Sequence, residues 1–118
     1  MIDLENLEIY KQYVELIYYC TSLVMKYPKS ERFCLAQDIK NVTYAGLRDV
    51  IYAQKEYNTK ERLHLLNELD ANLKILKVFV RISYKKKYIN IRNYTAWSKK
   101  LANISNMTWG WIKSCQKQ

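Results

Sequence analysis

One proline and two glycines are all that punctuate these 118 residues. Tight turns draw heavily on those two residue types, so a chain this poor in them has few turns and long uninterrupted elements. A many-stranded sheet is excluded on that ground. Hydrophobic residues make up 49 % of the chain and are spread along it, too many and too evenly mixed for a disordered segment. At this length one core forms and a second has no room, so residues 1–118 read as a single domain.

Three short breaks divide the chain into stretches whose apolar residues recur at alternating intervals of three and four, the helical period. The spacing predicts helices over about residues 3–25, 31–57, 60–86 and 91–114. In the first, Leu7, Tyr10, Val14, Ile17, Thr21 and Val24 form a stripe, with Asp3, Glu5 and Glu8 at the positive end of the helix dipole. Pro28 lacks an N–H and ends that helix, and Ser30 is placed to cap the second. The second turns Leu35, Ile39, Val42, Gly46 and Val50 or Ala53 inward. Gly46 costs about 1 kcal/mol against Ala in mid-helix, so it either admits a neighbouring helix or is simply tolerated. Thr59 is the expected cap of the third helix, where Leu66, Leu69, Leu73, Leu76 and Val80 fall within an arc of roughly 80°. The fourth carries the stripe Tyr94, Trp97, Leu101, Ile104, Thr108 and Trp111. Short connections force neighbouring helices antiparallel, which gives an all-α, up-down-up-down four-helix bundle.

No catalytic constellation is legible. Cys20, Cys34 and Cys115 are far apart, odd in number and without a C-x-x-C pair, and His64 is the sole histidine. Neither a disulfide framework nor a metal site is expected. Phosphate-binding glycine loops are missing, and no pair of E-x-x-H motifs suggests a di-metal bundle, so no cofactor is expected and His64 reads as a surface residue. Glu68 and Asp70, two residues apart, point to different faces of a helix and form no carboxylate pair with each other. The opening segment lacks the signal-peptide pattern and no apolar run reaches membrane-spanning length, so the expected compartment is the cytoplasm, with reduced thiols and no membrane partner.

Charge is the informative property. The net +9 is unevenly placed: residues 1–27 carry −2 and 28–57 carry +1, whereas 58–88 and 89–118 carry +5 each. On the third helix Lys74, Lys77, Arg81 and Lys85 stand three, four and four residues apart as one ridge, followed by Lys86 and Lys87. The fourth helix adds Arg92, Lys99, Lys100 and Lys113 and contains no acid. Such a surface attracts phosphate backbones through charge and counterion release, or docks an acidic protein face. Beside the ridge lies a second apolar arc, Ile75, Val78, Phe79 and Ile82, which a monomer would partly expose and a homo-oligomer would bury. Of the abundant aromatic residues, Tyr18, Tyr19, Tyr84, Tyr88 and Tyr94 read as packing positions. Trp109 falls about 100° off the fourth helix's apolar stripe, where it faces a partner.

Three segments carry a family resemblance: Tyr27-Pro28-Lys29-Ser30-Glu31-Arg32-Phe33, Asn72-Leu73-Lys74-Ile75-Leu76-Lys77 and Trp109-Gly110-Trp111-Ile112-Lys113. They resemble the four-helix-bundle proteins related to the accessory variability determinant of diversity-generating retroelements. The wider group includes proteins encoded in intervening sequences of bacterial 23S ribosomal RNA genes. The resemblance implies a basic, homopentameric barrel of bundles that binds a reverse transcriptase and RNA or DNA during template-directed mutagenesis. The family's basic third-helix positions fall on Lys77 and Arg81, inside the ridge. Trp109 departs from the pattern, standing where relatives carry the first glycine of a Gly-Gly-Trp ending. Relatives encoded away from any retroelement leave a second expectation, a structural or interaction bundle with no such partner.

Overall fold

The computed structural model describes residues 4–117, apart from the side chain of Glu5. Its helices are α1 (Glu8–Val24), α2 (Leu35–Lys55), α3 (Thr59–Lys85) and α4 (Ile91–Gln116), with short 3-10 turns at Leu4–Asn6 and Lys29–Glu31. Among the described residues there is no strand. Each helix packs against two others in the ring α1–α2–α3–α4–α1, within a body of 46 × 24 × 22 Å. The 27 residues of α3, rising 1.5 Å each, span about 40 Å and run most of its length. Among the described residues no helix is long and apolar enough to cross a membrane.

The helix ends are fixed by groups that satisfy otherwise orphaned backbone atoms. Asn58 and Asn90 cap α3 and α4: their side-chain oxygens accept the N–H groups of Glu61 at 3.0 Å and Asn93 at 2.8 Å. The α3 cap is therefore Asn58 rather than Thr59. Arg62 reaches back from α3 to the end of α2, donating to the carbonyls of Ala53, at 3.0 Å, and Glu56. After α3 the chain reverses through a left-handed residue, Lys87 (φ 64°). The Lys87 N–H bonds the Tyr84 carbonyl and the Tyr88 N–H bonds that of Ser83, both at 2.9 Å, the paired closure that ends many helices.

Two expected boundaries move. Helix α1 begins after Leu7, whose extended backbone (φ −77°, ψ 120°) separates it from the 3-10 turn, while Asp3, the expected start, lies outside the described residues. Helix α2 begins at Leu35, not Glu31, because the chain after Pro28 first takes a 3-10 turn and Ser30 makes no side-chain cap. Glu31 serves α2 instead: its carboxylate accepts the Leu35 N–H at 3.4 Å.

The core follows the expected seam on α3, where Leu66, Leu69, Leu73, Leu76 and Val80 are all buried. On α4 it follows Trp97, Leu101, Ile104 and Thr108 and continues to Ile112 and Cys115, leaving Tyr94 and Trp111 half-buried at its edge. On α1 the expected stripe is displaced. Ile9, Tyr13, Leu16, Cys20 and Leu23 are buried, whereas of the expected residues only Val24 is buried and Leu7, Tyr10, Val14, Ile17 and Thr21 form a half-buried flank. Both sets obey the helical period because α1 is apolar on most sides. The arbiter is Gly46 on α2: a Cβ there would lie 1.9 Å from the Tyr13 hydroxyl oxygen. The missing side chain admits the tip of that ring, whose hydroxyl donates to the Thr43 carbonyl at 2.7 Å.

Candidate nucleic-acid interface

The ridge exists as a surface, with one amendment. Lys74 is not free: its ammonium meets the Asp70 carboxylate at 2.5 Å, an i,i+4 pair within α3. Lys77, Arg81 and Lys85 are exposed and make no ion pair among the described residues. Beyond Asp70 the sequence contains eleven basic residues and no acid, and two of those, Lys74 and Lys86, are paired with the earlier acids Asp70 and Glu31.

The other expected cations divide between faces. Arg92 and Lys99 are exposed on α4, on the side turned away from the core stripe. Lys100 turns toward α1, where its ammonium sits 5.2 Å from the centre of the Tyr19 ring, which in turn meets buried Trp97 in a T-shaped pair. Half-buried and engaged with an aromatic face, Lys100 lies apart from the ridge. The second apolar arc is also reduced. Ile75 and Val78 are 41 % and 55 % exposed, whereas Ile82 is half-buried and Phe79 packs against the core. Helix α3 therefore presents a short apolar strip rather than a full face.

Between α3 and α4 runs a groove of about 490 Å³. Asp70, Lys74 and Lys77 line it from α3; Ser98, Ala102, Ser105, Asn106 and Trp109 line it from α4, over a floor of Leu73 and Leu101. It is open because the α4 positions facing the ridge are small. Trp109 closes one end and is half-exposed, as its place off the apolar stripe predicts. Tyr84 stacks on Tyr94 at 4.7 Å near the other end, fixing the register of the two helices. Tyr18, by contrast, is 70 % exposed on α1 and is no packing residue within the chain.

Two features were not read from the sequence. The first is a basic end of the bundle. The Tyr27 and Tyr88 rings lie 5.2 Å apart, and the Tyr88 hydroxyl donates to Glu31 at 2.7 Å, which brings the α1–α2 and α3–α4 connections together. That hydrogen bond, with the Leu35 N–H and the Lys86 ammonium behind it, holds the Glu31 carboxyl below the usual carboxylate range. Lys26, Lys29, Arg32, Lys86 and Lys87 surround this end, and Met25 and Phe33 project from it, each 83 % exposed. The signal was present in the alternation of basic and apolar residues around Pro28.

The second is Asp49 on α2, buried against α3 and accepting a hydrogen bond from the Asn72 amide at 2.8 Å. Burial and the Glu68 carboxylate raise its pKa from 3.8 to about 6. No spacing within one helix reveals this pairing, because the partners sit on two. His64 is exposed, and burial pushes the Cys20 thiol up to about 11, away from the reactive thiolate. Among the described residues no group of three or more His, Cys, Asp or Glu side chains is gathered to hold a metal ion.

An antiparallel four-helix bundle with its cations displayed on an open helix face, beside a shallow groove, belongs to the class of small all-α bundle proteins. Within that class the chain belongs to the bAvd-like family, whose model matches residues 7–115. The match takes in α1 to α3, all but the last residue of α4, and each of the three resembling segments. No curated protein matches the sequence.

Proposed function

We propose that this protein is a non-catalytic accessory scaffold, a single bundle domain that binds nucleic acid and the reverse transcriptase of a diversity-generating retroelement in the cytoplasm. Membership of the bAvd-like family supports the class. The observation that carries the binding assignment is the run Lys77, Arg81 and Lys85, exposed, without ion pairs among the described residues and with no acid after Asp70 in the sequence. Arg92 and Lys99 extend the field around it, whereas Lys74, paired with Asp70, and Lys100, turned toward Tyr19, add less. The strip of Ile75 and Val78, continued by Ile82 and Phe79, supports assembly of copies into the homopentamer that the resemblance implies.

The test is salt-dependent binding. Each phosphate contact contributes about −0.7 to −0.9 to the slope of log K against log salt, so three ridge contacts give roughly −2 to −3 per chain. Replacing Lys77 and Arg81 together by Glu should remove about two of those contacts and abolish association with oligonucleotide or polymerase, with helicity by circular dichroism unchanged. Unchanged binding would overturn the assignment. A second reading, a self-assembling structural bundle without a retroelement partner, is favoured by exposed Ile75 and Val78 alone. It predicts stable oligomers by light scattering and no salt-dependent binding of nucleic acid; a monomer at micromolar concentration contradicts assembly in both readings.

A further inference from the structure

We propose that the α3–α4 groove receives an unpaired nucleobase stacked on Trp109, so that the ridge takes single-stranded rather than fully paired nucleic acid. This rests on the nucleic-acid reading above and assigns it a substrate class.

The geometry starts with the direction of a helical side chain. Side chains lean toward the helix N-terminus, over the residues three and four positions earlier. For Trp109 those are Asn106 and Ser105, both small and polar and both lining the groove. A tryptophan in a core is walled by large apolar neighbours on both faces. Here half the residue is exposed, and the groups beneath it offer an amide and a hydroxyl of the kind that hydrogen-bond base edges. Nothing in the core of this chain requires an aromatic residue at position 109.

Charge then orients the strand. The bundle is antiparallel, and the register in which Tyr84 meets Tyr94 places Trp109 level with Asp70, and Leu101 level with Lys77. The end beneath the indole is thus the neutral one, where Asp70 and Lys74 cancel. The cations Lys77 and Arg81, without ion pairs among the described residues, stand about two and three helical turns away along α3. A phosphate is held at the Lys77 end and kept from the Asp70 end, while an uncharged base fits the end that carries the indole. Aromatic stacking beside a basic track is how proteins hold single strands, because every base has a π face, whereas bases within a duplex keep theirs covered. A second copy of this chain fits the groove less well, because it would take Ser98, Ser105, Asn106 and the lysine ammonium groups out of water.

The experiment measures fluorescence anisotropy of a labelled mixed-sequence single strand and of its duplex at one salt concentration. It uses the wild type, W109A, W109F and the Lys77→Glu/Arg81→Glu double variant. The wild type should prefer the single strand, W109A should lose about 5- to 150-fold for the single strand and little for the duplex, and W109F should retain most of the preference. The salt slope of W109A should equal that of the wild type, because no phosphate contact is removed. Equal single-strand affinity for W109A and wild type overturns this inference and leaves the ridge assignment standing. Absence of any binding by the wild type overturns both. Dissociation of W109A into smaller species by light scattering makes the indole a contact between copies and overturns it as well.

Discussion

Replacing Gly46 by Ala tests the packing that fixes how α1 sits on α2. Helix propensity alone favours the substitution by about 1 kcal/mol. Against that, the new Cβ would stand 1.9 Å from the Tyr13 oxygen and 2.7 Å from the carbon bearing it. Tyr13 is completely buried and its hydroxyl donates to the Thr43 carbonyl at 2.7 Å, so the ring has no open space to swing into. Overpacking of this kind costs about 1–3 kcal/mol and the lost hydrogen bond about 1 kcal/mol more. The net expectation is a destabilisation of about 2 kcal/mol. For 118 residues an unfolding entropy of about 0.25 kcal/mol/K converts that to a fall of roughly 8 °C in Tm. Thermal and urea denaturation at one fixed protein concentration would read it. The control is the same substitution in a Tyr13→Leu background, where the shorter side chain leaves room and only the propensity gain should remain. The two backgrounds should therefore differ by about 2–3 kcal/mol as a coupling energy. A single variant that melts higher than the wild type would refute the reasoning, since Tyr13 would then yield at no cost.

The buried Asp49 sets a pH dependence of unusual sign for a carboxylate. Its pKa, about 6 in the folded chain against 3.8 ordinarily, means the folded state binds more protons between those values, so stability falls as pH rises through about 4 to 6. Asp49→Asn should raise Tm at pH 7.5 by an amount of order 2 kcal/mol in stability and change little at pH 4; parallel melting curves across that range would contradict it. On the surface, Arg81→Glu alone exchanges two like-charge i,i+4 pairs, with Lys77 and Lys85, for two favourable ones. It should stabilise the free protein by about 1 kcal/mol in denaturant titration while weakening nucleic-acid binding, and a loss of stability would count against the ridge as described.

How much of this was legible in the sequence depended on whether the signal lay within one helix or between two. The α3 seam and the α4 stripe were readable because polar residues separate their apolar positions cleanly. On α1, Leu7–Tyr10–Val14 and Ile9–Tyr13–Leu16 satisfy the same period, and the choice was made by Gly46, on another helix. The Asp70–Lys74 pair shows the opposite case, since its i,i+4 spacing was visible, yet the ridge read as though Lys74 were unopposed. Asp49 with Glu68, and the groove beneath Trp109, arise from juxtaposition across α2–α3 and α3–α4. That register is set by packing, to which periodicity along a single helix is blind. The late start of α2 has a local cause: after Pro28 the backbone takes a 3-10 turn, and Glu31 does the capping that Ser30 was expected to do.

The cations of α3 do not all carry the same weight in the functional argument. Lys85, Lys86 and Lys87 stand at the C-terminal end of the helix, where the dipole favours positive charge and gives them a reason to be basic that involves no partner. Lys77 and Arg81 have no such reason. They lie one to two turns inside the helix, beyond the reach of the end effect, with basic or apolar residues rather than acids at three and four positions on either side. Their arrangement repels itself at a cost of about 0.2–0.5 kcal/mol per like-charge pair. Solubility would be served as well by interleaved acids, which a chain with eleven acidic residues elsewhere plainly uses. A surface that lowers the stability of the free protein is explained when something outside the protein supplies the missing negative charge. That reasoning singles out Lys77 and Arg81, which the family resemblance also marks, as the positions where the proposed polyanionic partner would be met.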